Sequence, residues 1–235
     1  MIRTEKQAAR WSVRTYLIWL VLACLLPGVV GALVLFGHQY RQSHVDMEKN
    51  SMLMARALAQ AIDNHLLKVQ AVAQSLATST ALTGGDLARF HRQAGEVISQ
   101  VGLGTQVVLR DAMGRQWLNT SVPWGRALPR HDGAEYVSPV FETSQPVISN
   151  LYLSPESNRL VMSVDVPVMV RGEVRYSLGI VVPPEQFDNL LRAQSLPGDW
   201  FAAVFDGQAL LAARSHDPAQ FVGHPVADGL LRQIE

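Results

Sequence analysis

An apolar stretch without any charged side chain, from Thr15 to Gly37, constrains this chain more than any other feature. A single helix of this length crosses a hydrocarbon core of about 30 Å. The residues before it carry a clear excess of cations, namely Arg3, Lys6, Arg10 and Arg14 against a single Glu5. Because such cations remain on the cytoplasmic side, we expect residues 1–14 in the cytoplasm, residues 15–37 in the lipid bilayer and the remainder beyond it.

A cleaved signal peptide is the main alternative for this stretch. Its apolar core would be about 7–15 residues long and would end at a small-residue cleavage site. The stretch here is longer and no clean Ala-x-Ala follows it, which favours a retained anchor. The only cysteine, Cys24, lies inside the stretch, so the exported part folds without a disulfide. Positive and negative side chains balance at 20 each, so no nucleic-acid partner is expected.

Hydrophobic periodicity divides the exported part into a helical region and a strand-rich region. Apolar residues recur every three or four positions within residues 38–85, which predicts one long helix that ends at a Gly-Gly pair. A second helix follows, with Asp86 as its N-cap and Gly102 as its C-terminal stop. The period then changes to two in the segments TQVVLR, RQWLNT, PVISNLYLS, RLVMSVDVPVMV and EVRYSLGIVV, with a short helix predicted in AEYVSPVFETSQ. Residues 86–183 therefore predict an α+β domain with an antiparallel five-stranded sheet.

Two segments of the chain repeat one pattern. VVLRDAMGRQWLNTS begins at Val107 and AAVFDGQALLAARS at Ala202, and each has an apolar run, an aspartate, a nearby glycine, a second apolar run and a terminal serine. The pattern predicts two hairpins in tandem modules, separated by a linker helix over 184–197; coincidence is the alternative, since Asp-x-x-Gly turns are common. The second module, 198–235, has too few residues after its hairpin to complete a similar sheet, so we expect it to be incomplete and the chain to be truncated.

No catalytic motif is recognisable in the sequence. A histidine kinase needs a histidine followed by an acidic residue in a dimerisation helix, but His65 is followed by two leucines and lies in the exported part. A diguanylate cyclase signature, a Gly-x-Ser-x-Gly elbow and a complete dinucleotide loop are all missing. The seven histidines are scattered without metal-ligand spacing. We therefore expect no enzyme activity, no cofactor and no metal site in this chain.

A pocket on one face of the predicted sheet is the best functional expectation. In RLVMSVDVPVMV, Ser163 and Asp165 share a face with apolar neighbours, where the carboxylate could receive a ligand amine or hydroxyl; exposure on the outer face is the alternative. Trp117 and Asn119 also share a face of their strand. The candidates for closing the pocket are Trp124, Arg126, Tyr136 and Tyr152. Each of these four has a purely structural alternative.

The order of these segments from Arg14 to Glu235 resembles the double Cache sensor region of bacterial transmembrane receptors. The resemblance rests on RTYLIWLVLACLLPGVVGALVLF, ALAQAIDNHLLKVQAVAQSLATSTAL, VMSVDVPVMVRGEVRYSLGI and WFAAVFDGQALLAARSHDPAQFVGHPV. It implies a periplasmic region anchored in the inner membrane, with a long helix that carries a membrane-distal PAS-like domain and then a membrane-proximal one. The likeness is greatest to sensor histidine kinases, with diguanylate cyclases and chemoreceptors as alternatives.

The resemblance also bears on the ligand and the partners. Amino-acid-binding members carry an Arg-x-Trp-Tyr cluster and an aspartate after the last strand, whereas this chain lacks that cluster and ends its last strand in SLGIVVPP. The expected ligand is therefore a small molecule of unidentified class. The lipid bilayer and a second copy of the chain, as a homodimer along the long helix, are the other expected partners. A membrane-anchored module that binds a periplasmic protein, and a periplasmic enzyme, are the rival functions.

Overall fold

The computed structural model describes residues 51–128, 134–193, 196–197 and 200–226, together with Leu20, Leu25 and Gly28. The predicted cytoplasmic segment and nearly all of the predicted membrane span therefore lie outside the described residues. Within the described part, no helix is both long enough and apolar enough to cross a membrane. The chain divides into two compact units, Met1–Met54 and Ala55–Glu235, and the sheets with their covering helices belong to the second.

Residues 51–77 form helix α1, which confirms the predicted helix over this range. One face of α1 is buried through Val69 and Ala73, at the spacing that the sequence pattern predicts. The prediction of a single helix extending to residue 85 is wrong, because α1 ends at 77. The Thr78 hydroxyl turns back to donate to carbonyl groups of the last turn, and a separate short helix, α2 (Thr80–Thr83), follows.

Helix α3 (Leu87–Val101) begins and ends where the sequence predicts. The Asp86 side chain accepts a hydrogen bond from the Arg89 amide at 3.0 Å, and Gly102 has a left-handed conformation with φ of 66°. Both features satisfy backbone groups that a helix end leaves unpaired. The buried residues of α3 are Phe90, Ala94 and Ile98.

A six-stranded antiparallel sheet follows, with one helix inserted in its sequence. The elements in chain order are β1 (Gln106–Arg110), β2 (Gln116–Asn119), α4 (Ala134–Thr143), β3 (Val147–Ile148), β4 (Tyr152–Leu153), β5 (Leu160–Val170) and β6 (Glu173–Val182). Their spatial order is β2-β1-β6-β5-β3, and β4 also pairs with β5. The mixed α+β class with an antiparallel sheet, and the helix predicted in AEYVSPVFETSQ, are confirmed.

The sheet has six strands rather than the predicted five, because the segment PVISNLYLS forms two short strands. Between them, the Ser149 amide donates to the Ser163 carbonyl at 2.9 Å, and the Ser149 hydroxyl accepts from the Ser163 amide at 2.8 Å. The Leu151 amide instead donates to the Asp206 carboxylate at 3.0 Å. The Asp206 side chain, from a distant part of the sequence, thus accepts a hydrogen bond from a backbone amide that would otherwise pair with a neighbouring strand.

The two faces of the sheet differ in polarity. Alternation along the strands gives one apolar face, whose fully buried members include Val107, Leu109, Val164, Leu178 and Ile180. The opposite face carries the buried polar residues Arg110, Ser163, Asp165 and Ser177. Helix α4 covers this polar face, since Tyr136 packs against a buried cluster of Val108, Tyr152, Val161 and Val181. The polar face is therefore enclosed between sheet and helix.

A second hairpin follows the sheet. The remaining elements are α5 (Pro184–Ala193), β7 (Ala203–Phe205), β8 (Leu211–Arg214) and α6 (Pro218–Phe221). Strands β7 and β8 form a separate two-stranded sheet. The Arg214 amide donates to the Asp188 carboxylate of α5 at 2.9 Å, and Asp206 holds the connection between β3 and β4. The hairpin is thus bonded to both α5 and the larger sheet.

The second hairpin repeats the first in its strand register. Strand β1 pairs Val108, Leu109 and Arg110 with Asn119, Leu118 and Gln116, and β7 pairs Ala203, Val204 and Phe205 with Arg214, Ala213 and Leu211. Each pair lies at one constant sequence offset from its counterpart, and the register shift falls at the same place in both hairpins. The equivalence that the sequence repeat predicts is confirmed for the two hairpins.

The turns and ends of the two hairpins also share their hydrogen bonds. Asp111 Oδ1 accepts from the amides two and four residues further along, at 3.1 Å each, and Asp206 Oδ1 does the same at 2.9 Å each. The hydroxyl that closes each hairpin accepts the amide at its start, Thr120 from Val107 and Ser215 from Ala202. The counterpart of Ser215 is therefore Thr120 rather than the serine after it.

Candidate ligand-binding site

The centre of the polar face is the Asp165 carboxylate, which has no exposure to solvent. The hydroxyls of Ser163, on the same strand, and Ser177, on β6, donate to its two oxygens, Ser177 at 3.1 Å. Gly179 lies opposite Asp165 on β6, and a Cβ at that position would be 2.5 Å from Oδ1 of the carboxylate. Glycine at position 179 therefore provides the space that the carboxylate occupies.

Arg110, the last residue of β1, is the cation of this cluster and is only 2% exposed. Its Nη1 atom lies 3.7 Å from Asp165 Oδ1, within ion-pair distance but beyond a hydrogen bond. The Nε and Nη1 atoms of Arg110 have no hydrogen-bond partner among the described residues. A buried donor left unpaired costs about 1–3 kcal/mol. The guanidinium thus keeps unused hydrogen-bonding capacity at a buried position.

Tyr152, on β4, adds a second unpaired donor to the cluster. Only 4% of Tyr152 is exposed, and its hydroxyl has no hydrogen-bond partner within the described part of the chain. Burial raises the pKa of Tyr152, and the opposing effect of the Arg110 charge is smaller. The phenol therefore stays protonated at neutral pH and remains a donor.

Tyr136, on α4, contacts both this cluster and an open cavity. Its ring stacks on that of Tyr152, with the ring centroids 4.5 Å apart. Tyr136 also lines a cavity of about 260 Å³ between α4 and residues 147–151. Partial burial and a hydrogen bond with Glu135 raise the pKa of Tyr136 to about 12. The stacked pair of tyrosines therefore joins the buried polar face to a cavity that is open to solvent.

A second group of polar side chains lies next to the Asp165 cluster. Its centre is Glu156, in the connection between β4 and β5. Its carboxylate accepts from the Gln116 amide at 2.9 Å, the Asn119 amide at 2.7 Å and the Ser154 hydroxyl at 2.8 Å. Burial alone would raise the pKa of Glu156, but the hydrogen bonds from Gln116 and Ser154, with the charge of Arg110, lower it below its ordinary value of 4.5. Glu156 is therefore ionised at neutral pH and ties β2 to this connection.

The structure brings half of the predicted site residues together in the buried cluster, namely Tyr136, Tyr152, Ser163 and Asp165. Asp165 lies on the enclosed face, so the alternative of an exposed carboxylate is wrong. Asn119 joins from the side, through its hydrogen bond to Glu156. The role of these residues in binding stays a prediction.

Trp117 and Asn119 differ in burial and in their hydrogen-bond partners. Asn119 is 1% exposed, whereas Trp117 is 38% exposed. The Trp117 indole donates to Asp111 at 3.0 Å, and its ring meets that of Tyr176 edge-on. The physical reason is the register shift opposite Arg110, which leaves Trp117 without a partner on β1 and interrupts the alternation along β2.

Trp124 and Arg126 lie in the loop after β2 and line a different cavity. This cavity, of about 180 Å³, is also lined by Trp117, Asn119 and His91, so it brings four of the predicted site residues together. The Nε2 atom of His91 donates to the carbonyls of Asn119 and Val122, at 3.1 and 2.9 Å, so this nitrogen carries the proton. The structure therefore does not bring Trp124 and Arg126 to the Asp165 cluster.

Sequence reasoning misses three members of the site, Arg110, Ser177 and Glu156. Arg110 ends its strand immediately before a turn, where a cation is ordinarily exposed. Its burial follows from pairing with Ser177 on β6, a strand far along the sequence. The available signal is parity, because Arg110 has the same parity as Val108 in TQVVLR and so shares its face.

Comparison with known proteins finds similarity in structure alone. No family model and no curated protein matches the sequence. A similar solved structure is the sensor domain of the Vibrio cholerae histidine kinase DctB, with 14% identity over 79% of this chain and 74% of that chain, and a TM-score of 0.58. The ligand-binding domain of the Pseudomonas aeruginosa PAO1 amino acid chemoreceptor PctC, solved with GABA, is 16% identical over 76% of this chain and 78% of that chain, with a TM-score of 0.55. The sensory domain of the Campylobacter jejuni chemoreceptor Tlp3, with isoleucine bound, is 13% identical over 79% of this chain and 77% of that chain, with a TM-score of 0.60.

At these identities the likeness shows the fold. The chain has the Cache-type fold of bacterial sensor domains, which confirms the fold that the resemblance implied. This fold occurs in a histidine kinase and in chemoreceptors alike. The fold alone therefore does not choose between these two kinds of protein.

Proposed function

We propose that this chain is the extracytoplasmic ligand-sensing input region of a membrane signal-transduction receptor. The observation that carries the proposal is the enclosed polar face, where Arg110, Asp165 and Tyr152 are buried with donors left unpaired. Burying charged and unpaired polar groups opposes folding, and a ligand that completes their hydrogen bonds explains why such a face is kept. The ligands bound by PctC and Tlp3 support a small molecule as the signal.

The proposed receptor is anchored in the inner membrane of a bacterium. Residues 1–14 would be cytoplasmic, residues 15–37 would form the anchor, and the remainder would be periplasmic, as the distribution of cations favours. We assign the output to a sensor histidine kinase, which the likeness to DctB supports. A chemoreceptor is the second candidate, favoured by the likeness to PctC and Tlp3.

The proposed domain organisation rests on the repeated hairpin. Residues 86–183 would form the membrane-distal Cache domain, 184–197 a linker helix, and 198–235 the opening of a membrane-proximal domain. The support is the matched register and the matched turn bonds of the two hairpins. A chance hairpin shares a turn residue with another, but it has no reason to share the closing hydroxyl bond as well.

The proposed mechanism is a shift between two conformations that the ligand stabilises to different extents. Ser163 contacts both the Asp165 carboxylate and Ser149. Asn150, which follows Ser149 in the chain, accepts a hydrogen bond from the Gly207 amide at 2.9 Å. Gly207 lies in the turn of the second hairpin. A ligand that moves Asp165 would therefore act on the second hairpin through this short chain of contacts, and a homodimer along α1 would transmit the change to the membrane.

Thermal unfolding of the purified full chain with a panel of small metabolites tests the proposed function. A ligand at a hundred times its Kd stabilises the folded state by about 2.7 kcal/mol, which raises the Tm. We expect at least one class of metabolite to do this, and we expect Trp124→Ala, in the other cavity, to keep the shift. A well-folded sample that no metabolite class stabilises would contradict the proposal.

A further inference from the structure

We infer that a second ligand site lies where α1, α5 and the second hairpin meet, and that it takes a small neutral aromatic molecule. The site is a cavity of about 220 Å³, which we call the junction cavity. Large apolar side chains from four elements line it, among them Ile62 and Leu66 of α1, Met162 of β5, Phe187 of α5, and Val204 and Phe205 of β7. The inference goes beyond the proposed function, because Arg110, Tyr152 and Asp165 are not among the described residues that line this cavity.

Hydrogen bonds between neighbouring elements hold the walls of the junction cavity in place. His65 Nε2, on α1, donates to Gln186 Oε1 of α5 at 3.0 Å, and the His65 ring meets that of Phe187 edge-on, with the centroids 5.7 Å apart. On the other side, the Gly207 amide of the second hairpin donates to Asn150 at 2.9 Å. The junction cavity is therefore a space between elements that are bonded to one another.

The polar groups of the junction cavity favour a neutral ligand. Asp206 is the only ionised side chain in its described lining, and three backbone amides already donate to this carboxylate. The Ser149 hydroxyl already donates to the Asn150 carbonyl and accepts from the Ser163 amide. An ionised ligand would lose its hydration here without gaining a free counter-charge.

The size and lining of the junction cavity favour a single aromatic ring. An apolar cavity of about 150 Å³ is large enough to bind benzene, so about 220 Å³ suits one ring with a short substituent. Phe187 and Phe205 provide rings for edge-on or offset contacts, and the Met162 thioether makes favourable contacts with an aromatic edge. Ile62 and Leu66 are half-buried, so a ligand that covers the rest of their apolar surface gains the hydrophobic contribution.

A ligand in the junction cavity would act on the same connection as the polar face. Ser149 and Asn150 line the cavity, and they also bond Ser163 and Gly207. A molecule that contacts both α1 and the second hairpin stabilises the conformation in which these elements lie together. It would therefore bias the proposed conformational shift without occupying the polar face.

Calorimetric titration of the full chain with four one-ring probes tests the inference. The neutral probes are benzyl alcohol and 4-methylphenol, and the ionised probes are benzoate and benzylamine at pH 7. We expect a neutral probe to bind and the two ionised probes to bind at least about tenfold more weakly, because ionised groups lose hydration in the cavity. Binding of benzoate or benzylamine as tightly as the neutral probes, or no binding of either neutral probe, would overturn the inference.

The variant Leu66→Trp separates binding in the junction cavity from partition of the probes into lipid or detergent. The larger ring should fill the cavity, raise the Kd of the neutral probe at least about tenfold, and leave the Tm of the ligand-free chain unchanged or higher. The matched control is Leu67→Trp, at the next position of α1, which is 58% exposed and should keep the Kd. Partition affects both variants alike, so their difference reports the cavity alone.

A second filling variant, Ile62→Phe, lies one turn earlier on α1 and decides the question if Leu66→Trp does not fold. An unchanged Kd in a folded filling variant would contradict the inference. Sedimentation of the full chain identifies the other occupant: if no neutral probe binds and the filling variants abolish self-association, a second copy covers the cavity and the inference falls. The proposed function stands in either case, because its own test depends on other metabolites.

Discussion

A buried carboxylate held beside a glycine is the feature on which the site depends at the scale of single residues. Asp165 is fully enclosed, and two serine hydroxyls and a guanidinium compensate its charge. This arrangement needs the free space above Gly179, on the neighbouring strand. The position of the carboxylate is therefore sensitive to a change of a single methyl group.

Gly179→Ala should destabilise the chain and weaken binding of the proposed ligand. The added Cβ would be 2.5 Å from Asp165 Oδ1, so the carboxylate must move away from its serine partners. We expect a loss of about 1–3 kcal/mol in the free energy of unfolding, measured by urea denaturation. The control is Gly95→Ala in α3, where a Cβ meets nothing within 4 Å and should stabilise the helix by about 0.5–1 kcal/mol. Equal effects of the two substitutions would show that Gly179 does not shape the site.

Glu156 should give the chain a stability that disappears in acid. Its pKa is lower in the folded chain than its ordinary value of 4.5, so its ionised form is bound more favourably than its protonated form. This contribution is present above pH 4.5 and is lost as the pH falls through the lower pKa of the folded state. We expect Glu156→Gln to lower the Tm at pH 7 and to have a much smaller effect at low pH. The exposed Glu173→Gln serves as control, and a pH-independent effect of Glu156→Gln would contradict the assignment.

Local alternation is enough to predict part of the site but not all of it. The period of two along RLVMSVDVPVMV places Ser163 and Asp165 on one face, and the structure agrees. Arg110 and Ser177 meet only because β1 pairs with β6, which a local pattern does not reveal. Trp117 and Asn119 differ in burial because of a register shift, which depends on how the hairpin closes rather than on residue type.

The two hairpins are the clearest result at the scale of elements. They share strand register, turn hydrogen bonds and a closing hydroxyl, and the residue three after each turn aspartate has a positive φ. In the first hairpin this residue is Gly114, with φ of 74°, and in the second it is Ala209, with φ of 59°. A left-handed conformation is costly for alanine and easy for glycine, so the second turn is the more strained.

Reciprocal substitutions at these two positions should have opposite effects. We expect Gly114→Ala to destabilise the chain by about 1 kcal/mol and Ala209→Gly to stabilise it by up to about 1 kcal/mol. Differential scanning calorimetry of the two variants measures both changes. The same sign for both substitutions would contradict the structural equivalence of the hairpins.

Elements that depend on local signals are the ones that the sequence predicts well. Helix α3 has its cap at Asp86 and its stop at Gly102, and both lie within a few residues of the backbone that they bond. The break between β3 and β4 is different, because the Leu151 amide is held by Asp206, a residue of the second hairpin. No local pattern in PVISNLYLS contains that information.

The second hairpin is attached to the sheet at the scale of the whole folded unit. Its turn bonds the β3–β4 connection through Asp206 and Asn150, and its second strand bonds Asp188 of α5. The same connection holds Ser163, which contacts the buried carboxylate. We therefore expect events at the polar face and at the second hairpin to be coupled.

Asn150→Ala should weaken this coupling without touching the polar face. The substitution removes the acceptor of the Gly207 amide but keeps the Ser149 contacts with Ser163. We expect hydrogen exchange of residues 203–214 to become faster and to lose any slowing caused by the ligand. The control is Gln208→Ala, whose amide remains bonded to Asp206. Unchanged ligand-dependent exchange in Asn150→Ala would contradict the coupling.

The most direct measurement of the central claim is hydrogen exchange of the full chain with and without the metabolite that raises its Tm most. If the ligand occupies the face between the sheet and α4, exchange should slow in α4, in β1 and around residues 149–165, where Arg110, Tyr152 and Asp165 lie. Helix α3, in contact with the sheet at β1 and β2, should change little. Slowing confined to the loop around Trp124, or to α3, would contradict a ligand site on the polar face.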